Sequence, residues 1–136
     1  MSKSNYFEHL QFIPYEDEED DYTIVKEYFY DELVFLKKTS PKWTARNCVN
    51  RLLHDSDHWM DQNGMEKATY IIASMLFQME LNEVDEQLAY EAYCDVSDLE
   101  TGNYDHLFSE KDLKLLKADM KTIRSYLNQH PALCEL

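Results

Sequence analysis

Two glycines and three prolines in 136 residues leave little material for tight turns. A glycine-rich loop to cradle phosphates has nowhere to form, which removes P-loop and dinucleotide-binding folds. No run approaches the roughly 20 uninterrupted apolar residues of a membrane span. The opening MSKSNYFEHL also lacks the basic start and apolar stretch of a secretory signal, so a cytoplasmic location is expected. Cys48, Cys94 and Cys134 are odd in number, widely spaced and free of any Cys-x-x-Cys pair. They suggest neither a complete disulfide framework nor a thiolate zinc site; reduced, mostly buried thiols are expected. Arg46 and Arg51 flank Cys48 only at a distance, which gives thiol catalysis a weak case. Gly-x-Ser-x-Gly, His-Glu-x-x-His and Glu-x-x-His are all missing, so a hydrolase elbow, a zinc-protease helix and a di-iron carboxylate bundle have no motif to rest on. An EF-hand fails as well: with Gly102 at loop position six, Ser97 and Leu99 fall where oxygen-rich ligands belong.

What remains is a helical pattern. The length and a 44% hydrophobic content suit one domain with one core. The few breakers fall at helix ends. Ser40-Pro41 reads as an N-cap followed by proline at the first helical position. Asn63-Gly64 and Gly102 read as helix stops with glycine free to take positive φ. Ser109-Glu110-Lys111-Asp112 resembles a capping box with Asp in place of Glu, and Pro131 ends the helix that follows. Between these marks apolar residues recur at helical spacing. Val25, Phe29, Leu33 and Leu36 form one stripe, and Trp43, Val49, Leu52 and Leu53 a second. Leu113, Leu116, Met120, Ile123 and Leu127 form the clearest, while Val84, Leu88, Ala92 and Val96 run along a helix from about residue 83 to 99 with its acids facing water. From residue 68 to 81 apolar side chains cover most of the circumference, as on a central buried helix. The expectation is an all-α compact bundle of four to five helices. Residues 1–21 hold a short N-terminal element (Tyr6, Phe7, Leu10, Phe12, Ile13) and an acidic arm, 22–130 form the bundle, and 131–136 form a tail.

Basic residues are missing from two long tracts, and this is the sharpest functional signal. Residues 4–25 carry seven acids, including the run from Glu16 to Asp21, without one Lys or Arg. Residues 68–110 carry ten acids, again without one. The rest of the chain is nearly balanced, so the net charge of −14 is local. Such concentrations keep a protein in solution, but they also repel themselves and attract cationic partners. Direct binding to nucleic acid is disfavoured at this charge.

In the second tract Tyr90, Glu91, Tyr93, Asp95, Asp98, Glu100, Tyr104 and Asp105 place rigid phenols beside carboxylates. Tyr90 and Tyr93 share one helix face by their i, i+3 spacing. Tyrosine brings contact area with a polar tip, and carboxylates pair with Lys and Arg, so these eight residues form a candidate partner-binding surface. The ordinary alternative is a core edged by tyrosines. His54 and His58 are four apart, so on one helix both imidazoles would point the same way. With Asp57 and Asp61 nearby, and Asp55 adjacent, they form a candidate divalent-metal set. His54-Asp55 resembles the core of histidine–aspartate phosphohydrolases, which would imply a metal-dependent hydrolase, but the further His and Asp ligands of that family have no assignable counterparts here.

The expectation that follows is a non-enzymatic acidic inhibitor of immunity or antitoxin type, without a cofactor, that binds a basic toxin or nuclease and blocks its active site or substrate access. Opposed charge speeds association, which suits such a role. The alternatives are the metal-dependent hydrolase just described, a nucleic-acid mimic that occupies DNA-binding proteins, with acids of both tracts along a phosphate-like track, and a structural or adaptor module, which would show a contiguous apolar groove instead.

Overall fold

The structure, a computed structural model, describes residues 21–56 and 64–134. The N-terminal element and most of the first acidic tract lie outside the described residues. Five helices follow in order: α1 Asp21–Thr39, α2 Ala45–Ser56, α3 Met65–Glu80, α4 Glu86–Glu100 and α5 Glu110–Gln129. Short 3-10 turns at Asp105–Leu107 and Pro131–Cys134 complete the set, and no strand occurs among the described residues.

α3 is the centre, as its all-round apolar pattern implies. It touches each of the other four helices. Its Tyr70, Ala73 and Phe77 pack with Val25, Phe29 and Leu33 of α1 and with Cys48, Val49 and Leu52 of α2. Its Ala68, Ile72 and Met75 pack with Ala89, Ala92 and Val96 of α4 and with Leu116, Met120, Ile123 and Leu127 of α5. A helix buried on two sides must be apolar on two sides, whereas the outer helices need a single stripe. Complete burial of a side chain such as Phe77 or Ile123 contributes about 1.5–3 kcal/mol. Between α1 and α5 the tie is polar: Asp119 accepts from the Tyr22 hydroxyl at 2.7 Å and from Lys26 Nζ at 2.8 Å. Burial, with the Asp119 charge behind it, pushes the Tyr22 phenol well above its ordinary range.

Helix ends fall largely where the breakers place them. Ser109 Oγ accepts from the Asp112 N–H at 3.1 Å and opens α5. Gly102, at φ +85°, follows the Thr101 cap of α4 as a helix stop should, whereas Gly64, at φ +94°, is the N-cap of α3 rather than the close of α2, whose range ends at Ser56. Ser40-Pro41 does not open a helix. Pro41 sits in a turn closed by the Trp43 N–H on the Ser40 carbonyl at 2.9 Å, and Lys37 Nζ donates to the Trp43 carbonyl at 2.6 Å. α2 starts after Thr44, whose Oγ1 accepts from the Asn47 N–H at 3.1 Å. The φ that proline fixes suits the first position of a helix and the second of a turn equally, so the dipeptide does not distinguish them. Trp43 is therefore half-buried in that turn rather than on α2, and Leu53 is 43% exposed rather than in the core.

The last residues are more than a tail. The Pro131–Cys134 turn packs against α4 and α5, with Leu133 and Cys134 on the core's edge. All three cysteines are free, as expected, but Cys48 alone is buried; Cys94 is exposed on α4 and Cys134 is half-buried. No described helix is long and apolar enough to cross a membrane.

Candidate functional site

α4 carries five of the ten acids of the second acidic tract, and helix geometry sorts the residues around them into two stripes. At 3.6 residues per turn, Glu91, Asp95 and Asp98 align through steps of four and three, and so do Tyr93, Ser97 and Glu100. The two stripes start two residues apart, which sets them on opposite flanks of the helix. The core stripe Ala89, Ala92, Val96 and Leu99 lies between them, and its burial holds both flanks at the surface.

The flank toward α5 is neutralised. Arg124 donates to Glu100 Oε1 at 2.6 Å and Oε2 at 3.3 Å, to Ser97 Oγ at 3.1 Å, and covers the Tyr93 ring at 5.1 Å. Other acids of the tract are matched in the same way. Lys117 pairs with Asp105 at 3.7 Å, Arg46 with Asp85 at 3.4 Å, and Lys37 with Glu83 at 3.7 Å. Two of these acids also serve helix starts: Glu83 accepts from the Ala45 N–H at 3.2 Å, and Asp85 caps α4 by accepting from the Leu88 N–H at 3.0 Å. The bases missing from the linear tract thus arrive from neighbouring elements.

The flank toward α3 is not neutralised. Glu91 and Asp98 are exposed, Asp95 is half-buried, and no ion pair reaches any of the three among the described residues. Burial above all pushes the Asp95 carboxyl above its ordinary range; the charge of Lys67 is the next largest influence and pulls it back, and the charges of Asp98 and Glu91, each weaker, push it up again. Asp98 stands in the last turn of α4, which contains no basic residue, and the negative end of the helix dipole disfavours it there.

Two adjoining depressions border this flank. The larger, about 480 Å³, has its floor on α3 at Tyr70, Ile71, Ser74 and Gln78. Arg46, Val49, Asn50 and Leu53 of α2 form one wall, and Gln87, Tyr90, Glu91 and Asp95 of α4 the other. The smaller, about 230 Å³, continues past Gly64 and Lys67 to Asp98, Tyr104 and Leu107. Lys67, Ile71 and Asp95 belong to both. The Tyr70 phenol donates to the Val49 carbonyl, and burial pushes it above its ordinary range, offset in part by the neighbouring Ser74 hydroxyl.

Known families, curated proteins and solved structures offer no match to this chain. Its site is therefore read from its own geometry.

Of the eight residues of the sequence-derived surface, five lie along these depressions or their rim: Tyr90, Glu91, Asp95, Asp98 and Tyr104. Glu100 and Tyr93 belong to the Arg124 cluster on the other flank, and Asp105 to its pair with Lys117. Tyr90 and Tyr93 do sit together, with ring centroids 6.4 Å apart, and so bridge the two flanks. Leu53, Ile71 and Lys67 are absent from the sequence-derived set because it drew only on one helix and the turn that follows it. The step of four and then three through Glu91, Asp95 and Asp98 is the signal that separates the two flanks.

The metal set divides differently. His54 is exposed in the last turn of α2, while Asp57, His58 and Asp61 lie outside the described residues. Among the described residues, no three His, Cys, Asp or Glu side chains group so as to hold a metal ion.

Proposed function

We propose that this chain is a stoichiometric, non-catalytic inhibitor of immunity or antitoxin type, which presses the α3-facing flank of α4 onto a basic partner such as a nuclease toxin. The observation that carries this is the contrast between the two flanks of α4. One is neutralised from within by Arg124 at 2.6 Å from Glu100; the other keeps Glu91, Asp95 and Asp98 without an ion pair among the described residues, with Lys67 near enough only to moderate Asp95, although like charges so close cost stability. A surface that retains such a penalty is explained by a cation supplied from outside. Tyr90 and Tyr104 add contact area of the kind that anchors interfaces. Fields from clustered carboxylates speed encounter with a basic protein, toward ~10⁸ M⁻¹s⁻¹ at low salt, and an inhibitor must reach its target before the target reaches a substrate.

The test is affinity capture from the native source with wild-type bait and with Asp95→Lys/Asp98→Lys bait, followed by an activity assay on what is recovered. A basic protein held by the wild type, lost from the variant and inactive while bound is the expected result. A partner held equally by both baits would place the contact elsewhere.

A further inference from the structure

The cleft beside the unpaired acids is not uniformly charged, and this constrains what fits it. Its acids lie along the α4 edge alone. The opposite wall carries Arg46, held by Asp85 at 3.4 Å, and Lys67 stands where the two depressions meet. Between these edges the surface is mainly apolar, with Asn50, Ser74 and Gln78 set among Val49, Leu53 and Ile71. Only four large hydrophobic side chains among the described residues are markedly exposed, and two of them, Leu53 at 43% and Tyr104 at 43%, line this run of depressions. A polybasic chain or a cationic small molecule would match the acidic edge and leave the apolar floor wet.

We infer that the groove over α3, walled by α2 and α4, receives a basic amphipathic helix of the partner. Its Lys and Arg side chains run along Glu91, Asp95 and Asp98, and its apolar face rests on Leu53 and Ile71. The inference rests on the reading of the chain as a binder of a basic protein, and it adds the form that the contact takes. Spacing supports the helix. The three acids stand at i, i+4 and i+7, so a helix laid alongside α4 with bases at the same intervals meets each in turn. From Gln87 to Asp98 the α4 wall extends for about 17 Å, or three helical turns.

The probe is a display library of peptides of about 15 residues, long enough to form a helix on docking, selected against the whole protein. Enriched peptides are then titrated against wild type, Asp95→Asn/Asp98→Asn, Leu53→Ser and Phe35→Ser, with circular dichroism to establish that each variant is folded. The groove predicts enrichment of Lys or Arg at three- and four-residue intervals opposite an apolar face. It also predicts affinity losses of about tenfold for both the acid variant and Leu53→Ser, and no loss for Phe35→Ser, which removes an exposed side chain of α1. Basic peptides without that pattern, weakened by the acid variant and indifferent to Leu53→Ser, would overturn the groove and leave the acidic docking face standing. Enrichment indifferent to the acid variant, or no enrichment of basic peptides, would remove both.

Discussion

Stripping charge from the α3-facing flank of α4 should stabilise the protein, and under the proposed function it should also weaken binding. Glu91 and Asp95 form a like-charge pair at i, i+4, and Asp95 and Asp98 another at i, i+3. Each such pair costs about 0.2–0.5 kcal/mol. Asp98 also opposes the helix dipole in the last turn of α4, at a cost of about 0.3–1 kcal/mol. Asp95→Asn/Asp98→Asn relieves all three, roughly 0.7–2 kcal/mol in total. Lys67 loses its attraction to Asp95, which brings the net gain to about 1 kcal/mol, or about 3–5 °C in Tm for a chain of this size. Asn and Asp have similar helix propensities, so the backbone contributes little. The pH dependence has a fixed sign. Burial and neighbouring acids raise the Asp95 pKa in the folded state, so the native protein holds that proton more tightly than the unfolded chain does. The penalty is complete above the folded pKa and vanishes below the unfolded one. Urea denaturation followed by circular dichroism should therefore show the variant's advantage in full at neutral pH, shrinking toward about pH 4 and in high salt. A variant less stable than wild type at neutral pH, or an advantage that ignores both pH and salt, would refute the reasoning.

Other perturbations probe the scaffold that holds this flank in place. Ile123→Ala empties a fully buried position beneath α4 and should cost about 2–5 kcal/mol in chemical denaturation. Asp119→Ala strips the acceptor from the buried Tyr22 hydroxyl and should cost about 1–3 kcal/mol; adding Tyr22→Phe should recover part of that loss, since it removes the hydroxyl that the first change orphans. Gly102→Ala imposes a side chain at φ +85° and should cost about 1–2 kcal/mol, read as a lower urea midpoint, although its Cβ would stand 3.7 Å from the nearest Asp105 carboxylate oxygen and meet no clash.

Much of the fold was legible because it depends on periodicity and on breakers. The stripe from Leu116 through Ile123 to Leu127 marks the buried face of α5, and the all-round apolar stretch marks α3 as the centre. Gly64 and Gly102 both take positive φ, the conformation for which a glycine is suited. Ser40-Pro41 misled because one backbone geometry serves two motifs. Leu53 misled because the surface opposite it is a cleft rather than a packed helix, a fact that resides in α4 and not in the local pattern. The acidic tract was legible as a charge excess but not as a surface. Arg124 lies 24 residues from Glu100 and Arg46 lies 39 from Asp85, so the pairing that silences four of the tract's ten acids emerges only when the helices pack.

The most direct test of an acidic docking face is the association rate of the captured basic partner, measured by stopped flow across a range of ionic strength for wild type and for Asp95→Lys/Asp98→Lys. The structure predicts a wild-type rate that falls steeply with salt and a variant slower by tenfold or more at low salt, on the order of what steering contributes, with the two converging as salt rises. Equal rates at low salt would mean that the unpaired flank of α4 faces no partner, and the proposed function would fall with it.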